Sequence, residues 1–144
     1  VTTPTDDGAL IAASRREEAL YAGLVAVYQE LAAALADPAT RTDPAWIGER
    51  HARAGAATDE LRVLAAALGP RRLSPAPVPP AARAHWSRSA ELAAEAARLG
   101  ADLIALARGR QSALASQLGE AASRRVALEA YRPTSVAERP RLTA

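Results

Sequence analysis

The chain has 144 residues, 18 arginines and no lysine against 16 acidic residues, and a formal net charge of +2. That length accommodates one domain and little more, and 39 alanines, with five aromatic residues and neither Phe nor Met, argue against a deep core of large side chains. The absence of cysteine excludes disulfides and thiol catalysis and fits a reducing compartment.

Alanine is the best helix former and lets backbones approach closely, so the composition suits thin helices packed side by side. The first predicted helix spans about 7–36. Its larger apolar residues Leu20, Leu24, Val27, Leu31 and Leu35 are spaced by 4, 3, 4 and 4, one stripe on a helix close to a coiled-coil seam. Thr5, Asp6 and Asp7 supply a cap and first-turn acids. Asp37-Pro38 ends the helix, because the residue before proline is driven out of helical geometry.

The second helix is predicted over 44–68, with Asp43 as cap and Pro44 at the first helical position. Ile47, Ala54, Leu61 and Leu68 recur every seven residues, with Ala57 and Leu64 beside them. Gly69-Pro70 reads as its stop. The segment "GPRRLSPAPVPP", within a linker over 69–80, carries prolines 70, 75, 77, 79 and 80. It reads as an extended, semi-rigid strap, with a ligand for a proline-reading domain as the alternative.

The third helix is predicted over 80–131. Leu92, Ala96, Leu99, Leu103 and Leu106 keep the 4-and-3 spacing, and then "ARGRQSALASQLGEA" breaks it. Arg110 and Gln117 fall on the strict-heptad seam, while Leu114 and Leu118 stand one step further round, as in a stutter. If continuous, this helix is about 75 Å long, against about 40 Å for the first two; a kink at Gly109 is the alternative. Pro133 stops it just after Tyr131. Residues 132–144 read as a flexible polar tail. The expected fold is all-α: an elongated antiparallel three-helix bundle over 1–131 with a long third helix.

Charge is uneven along this layout. Residues 1–70 carry ten acids against six arginines, and residues 71–144 carry six acids against twelve arginines. Either the basic half meets an acidic partner or the two halves complement each other. No apolar run approaches the roughly 20 residues a bilayer crossing needs, and the acidic start "VTTPTDDGAL" is the reverse of a signal peptide. The expectation is a cytoplasmic protein with no membrane insertion.

Catalytic constellations do not assemble. His51 and His85 stand on different helices, whereas a metal site takes three or four ligands. Glu17-Glu18 and Asp59-Glu60 are adjacent pairs whose side chains point to different faces. Glu91 and Glu95 share a face but have no histidine with them. Arg108, Arg110, Arg124 and Arg125 lack the stacking aromatics of a nucleic-acid surface. They also lack the large apolar residues that would dock a helix on a membrane. The expectation is therefore no enzyme, no cofactor, no metal and no nucleic acid. What remains is helix surface: Leu114, Leu118, Val126 and Leu128 lie beyond the reach of the shorter helices. Such a stripe offers a groove to a partner helix or to a second copy, so a monomer and a homodimer both stay open.

The segments "REEALYAGLVAVYQELAAAL" and "ERHARAGAATDELRVLAAAL", the long "LGADLIALARGRQSALASQLGEAASRRVALEAYRP" and the tail "RPRLTA" together resemble the FlgN-like family of flagellar export chaperones. The chain departs from the family pattern in having no Asn and in carrying Ser135 where a Tyr-x-x-x-Gly ending places glycine. The resemblance implies a cytoplasmic all-helical chaperone whose clients are flagellar hook-associated subunits. It places the client surface on Leu103, Leu106, Leu114, Leu118 and Leu128. It also implies that Tyr131 docks to an export-gate component, although a staple over Ala127 or Leu128 remains the other reading of that ring. Trp46-Ile47-Gly48 resembles the Trp-x-Gly turn of small helical proteins secreted by the type VII route, which gives a second reading of the chain.

Overall fold

The computed structural model describes residues 3, 6–37, 39 and 43–131. The tail expected to be flexible, 132–144, lies outside the described residues. Three helices account for the order of the chain: α1 (Asp7–Ala36), α2 (Pro44–Leu73) and α3 (Pro80–Ala130), with no strand among the described residues. Two compact units divide it, Val1–Ala107 and Arg108–Ala144.

The first unit is an antiparallel three-helix bundle. Asp6 caps α1, its Oδ1 accepting from the Ala9 N–H at 2.8 Å, and Asp43 caps α2, accepting from the Ala45 N–H at 3.0 Å. Each thereby satisfies an amide that the helix start leaves without a partner. Arg16 grips Glu60 with two hydrogen bonds of 2.6 and 2.7 Å, and further along α1 Glu30 accepts from Arg50 at 2.7 Å. As numbers rise on α1 they fall on α2, so these two helices are antiparallel. Glu18 meets His85 Nδ1 at 2.5 Å, and the Tyr28 ring lies beside Gly100, where a Cβ would sit 3.7 Å from it. Here numbers rise on both, so α3 runs parallel to α1, completing an up-down-up bundle.

Heptad spacing explains the core. Leu20, Leu24 and Val27 of α1 are buried with Ala54 and Leu61 of α2 and Leu92, Ala96 and Leu99 of α3, and Leu31, Ala57 and Leu64 pack against them. A second cluster joins Leu10, Leu68 and Ala82, all without exposed surface, and is covered by Ile11, Val78 and Trp86. Val78 belongs to the proline-rich strap, so the strap is part of the packing at this end of the bundle.

The α2 stop differs from expectation. The helix does not end at Gly69-Pro70 but runs through Pro70 to Leu73, with Ser74 as its C-cap. Pro70 sits close enough to the end that only one carbonyl loses its amide partner. The extra turn is held from outside: Arg72 pairs with Glu17 of α1, and Arg71 donates to the Pro77 carbonyl at 2.8 Å. The strap is correspondingly shorter than 69–80, covering residues 74–79.

A second correction concerns α1. Its most apolar 18-residue window has a mean hydropathy of 1.5, so by length and composition it does reach what a membrane span requires. Residues 19–36 contain a single charge, Glu30. Alanine supplies much of that hydropathy, and the large side chains form one stripe that packs on α2 and α3.

In the second unit, α3 continues through Gly109 and Gly119 as helix to Ala130, and the Tyr131 amide adds one more bond to the Ala127 carbonyl at 3.0 Å. Residues 111–131 are all exposed.

Candidate functional site

The residues expected to hold a partner fall into two groups. Leu103 and Leu106, in the last turns of the bundle unit, are half-buried. Leu114, Leu118 and Leu128 of the second unit are 56%, 71% and 72% exposed, and Tyr131 is 85% exposed. Leu114, Leu118, Ala121, Arg125 and Leu128 are spaced by 4, 3, 4 and 3. On an α-helix that spacing puts all five on one face. The face is therefore an unfilled seam, and nothing within the described residues covers its leucines. A shallow indentation of about 430 Å³ lies along it, bordered by Gln117, Glu120, Arg124 and Leu128. Val126 is also exposed, at 66%, but on another side of the helix.

Charge surrounds this seam. Arg125 makes a 3.2 Å ion pair with Glu129, one turn on. Over residues 108–131 the sequence carries four arginines and two glutamates, a net +2. Tyr131, beside Leu128 at the helix end, covers little of it, since both side chains keep most of their surface.

The carboxylates of the adjacent pairs each meet a different basic side chain, and so does Glu91. Glu17 pairs with Arg72, Glu18 with His85, Glu60 with Arg16, Asp59 with Arg62 and Glu91 with Arg88. The hydrogen bond from Arg16 holds the Glu60 carboxyl below its ordinary value, and the same bond raises Arg16. Arg88 is raised likewise, first by its hydrogen bond to Glu91. His51 is exposed, and no three potential metal-ligating side chains converge among the described residues. Trp46 is half-buried at the start of α2, with the Arg50 guanidinium 3.7 Å above its ring centroid.

No family model, curated protein or solved structure matches this chain. Function has to be read from its own geometry.

Sequence reasoning missed a polar layer inside the bundle. Ser14, Glu17 and Ser89 are buried, at 0%, 3% and 3% exposure. They lie along the bundle between the cluster around Leu68 and the cluster around Leu24. The signal was present: Leu10, Ser14, Glu17 and Leu24 continue the α1 stripe toward its N-terminus, and Ser89 stands seven residues from both Ala82 and Ala96. The Ser14 hydroxyl is satisfied by the Leu10 carbonyl at 2.7 Å. Arg72 reaches in to Glu17, with its guanidinium 5.1 Å from the Trp86 ring centroid.

Proposed function

We propose that this chain is a non-catalytic protein-binding bundle that holds an acidic amphipathic helix of a client on the exposed face of residues 108–130. The carrying observation is the seam of Leu114, Leu118 and Leu128, more than half exposed on one helical face. The segment supplies an apolar stripe with arginines along it. A client helix with a matching leucine stripe and acidic flanks would bury the leucines and neutralise the surplus of +2. Fully burying one leucine contributes about 1.5–3 kcal/mol, and a seam of three suffices for reversible capture without nucleotide.

A second copy of the chain is the poorer occupant. Two segments of net +2 repel each other, and an in-register parallel pair would set Arg125 against Arg125 in the seam. The specific form of the proposal is a cytoplasmic export chaperone. It would shield the terminal helix of a flagellar hook-associated subunit from premature assembly and proteolysis, with Tyr131 left free to dock at the export gate.

Co-expression with candidate hook-associated subunits, followed by affinity capture, tests the reading. Capture of one of them, lost in the Leu114→Asp, Leu118→Asp double variant, is the expected result. A complex that survives the double substitution removes the client from this face. A stable homodimer that the same substitutions dissociate would assign the face to self-association instead.

A further inference from the structure

The outer face of α1 is apolar and largely uncovered. Its most apolar 18-residue window has a mean hydropathy of 1.5, yet only 22% of that window is buried in the bundle. Leu20, Leu24, Val25 and Val27 belong to the core. The opposite face carries Ala12, Ala19, Ala22, Gly23, Ala26 and Ala33, every one exposed. At about 100° per residue these six share one side of the helix. On its flank, Ala19 and Gly23 border a groove of about 300 Å³ together with Ala56 and Ala57 of α2. Side chains this small let a further helix backbone come close. They hold poorly to lipid, because a helix lying on a membrane is anchored by large apolar side chains.

Charge decides which helix fits. Arg15 stands seven residues before Ala22, and Glu30 seven residues after Gly23. Ala19 and Ala26 lie three residues either side of the same centre, and Ala12 and Ala33 ten. A two-fold axis between Ala22 and Gly23 therefore lays a second α1 antiparallel on the first, alanine over alanine. Each Arg15 then comes to the height of the partner's Glu30, and the contact is made twice. Both groups have capacity for it. Arg15 makes no ion pair or hydrogen bond among the described residues. Glu30 accepts from Arg50 through Oε2 alone, at 2.7 Å, and its side chain keeps 45% of its surface. Parallel and in register, the same helices would set Arg15 against Arg15 and Glu30 against Glu30.

We propose that the outer face of α1 is a self-association surface, on which two copies of the chain pair their α1 helices antiparallel about Ala22 and Gly23 with reciprocal Arg15–Glu30 ion pairs. The surface lies wholly within the bundle unit and uses none of the client face on residues 108–130.

Sedimentation equilibrium of the full-length protein tests it. The apparent mass should rise from 15.0 kDa toward twice that value over about 10–500 µM. Arg15→Glu should weaken the dimer by about five- to thirtyfold, through two lost pairs and a new repulsion. Ala22→Glu sets two like charges at the axis and should leave only monomer. Its thermal midpoint in dilute solution should match wild type, because residue 22 is exposed. Disulfide trapping reads the register, and a chain without native cysteine makes it specific. Ala22→Cys should give a covalent dimer under mild oxidation. Ala33→Cys alone should not, since the two copies of residue 33 stand about 30 Å apart along the helices, whereas a mixture of Ala12→Cys and Ala33→Cys should. A monomer at every concentration, or a dimer indifferent to Ala22→Glu, would overturn the proposal. In the first case, co-sedimentation with phosphatidylglycerol vesicles that Ala22→Glu abolishes would give the face to lipid. In the second, loss of the dimer in the Leu114→Asp, Leu118→Asp variant would give self-association to the seam.

Discussion

Replacing Leu68 with Ala and, separately, Leu118 with Ala should divide the leucines that hold the fold from those kept open for a client. Leu68 has no exposed surface and packs with Leu10 and Ala82, whereas Leu118 keeps 71% of its surface. Truncating a fully buried leucine forfeits its transfer free energy and leaves a cavity, together about 2–5 kcal/mol. Truncating an exposed one on a helix gives up little burial and gains slightly in helix propensity, so the net change stays within about 0.5 kcal/mol. Urea unfolding followed by far-ultraviolet circular dichroism reads both. With a slope of about 2 kcal/mol per molar urea, the Leu68→Ala midpoint falls by at least about 1 M, and the Leu118→Ala midpoint moves by less than about 0.3 M. Comparable losses for the two variants would refute the reasoning, because Leu118 would then be covered in the isolated protein. If that loss grew with protein concentration, the cover would be a second copy.

Three further outcomes follow from the same geometry. Tyr131→Ala should leave the thermal midpoint within about 1 °C of wild type, since the ring is 85% exposed and such surface changes are nearly neutral; a drop of several degrees would show a staple over Leu128. Glu17→Ala should cost about 1–3 kcal/mol in the same urea assay, because it strips Arg72 of its buried acceptor; a neutral result would mean that Arg72 turns out to solvent. Glu60 has its carboxyl depressed by the hydrogen bond from Arg16. Its contribution to stability is therefore present above the ordinary carboxylate range and is lost as the pH falls through the lower folded value. The stability difference between wild type and Glu60→Gln should be small, since the pair is exposed, and should vanish in acid. A difference that grows below pH 4 would contradict the sign.

Much of the architecture was legible in the sequence because it depends on local chemistry. The ends of α1, the Asp43-Pro44 start of α2 and the start of α3 at Pro80 follow from caps and prolines, which act within a few residues. The end of α2 was not legible. Pro70 is a sound local stop, but contacts made 55 residues away, Arg72 to Glu17, hold the helix beyond it. The exposed seam could be anticipated from leucine spacing and from the unequal helix lengths. The polar layer could not be found by searching for apolar periodicity, because Ser14, Glu17 and Ser89 occupy seam positions with polar side chains. Glu17 looked like half of a surface carboxylate pair until the fold supplied Arg72.

An alanine-rich seam has a weakness that this buried ion pair corrects. Where neighbouring heptads present similar small residues, helices can slide past one another by seven residues and still find apolar contacts. In this bundle such a slip of α2 along α1 would carry Arg72 about 10 Å from Glu17, leaving a carboxylate enclosed without its cation at a cost on the order of 3 kcal/mol. The charged layer acts as an index mark that singles out one vertical alignment. It also sets the height at which the strap must cross and at which α3 begins.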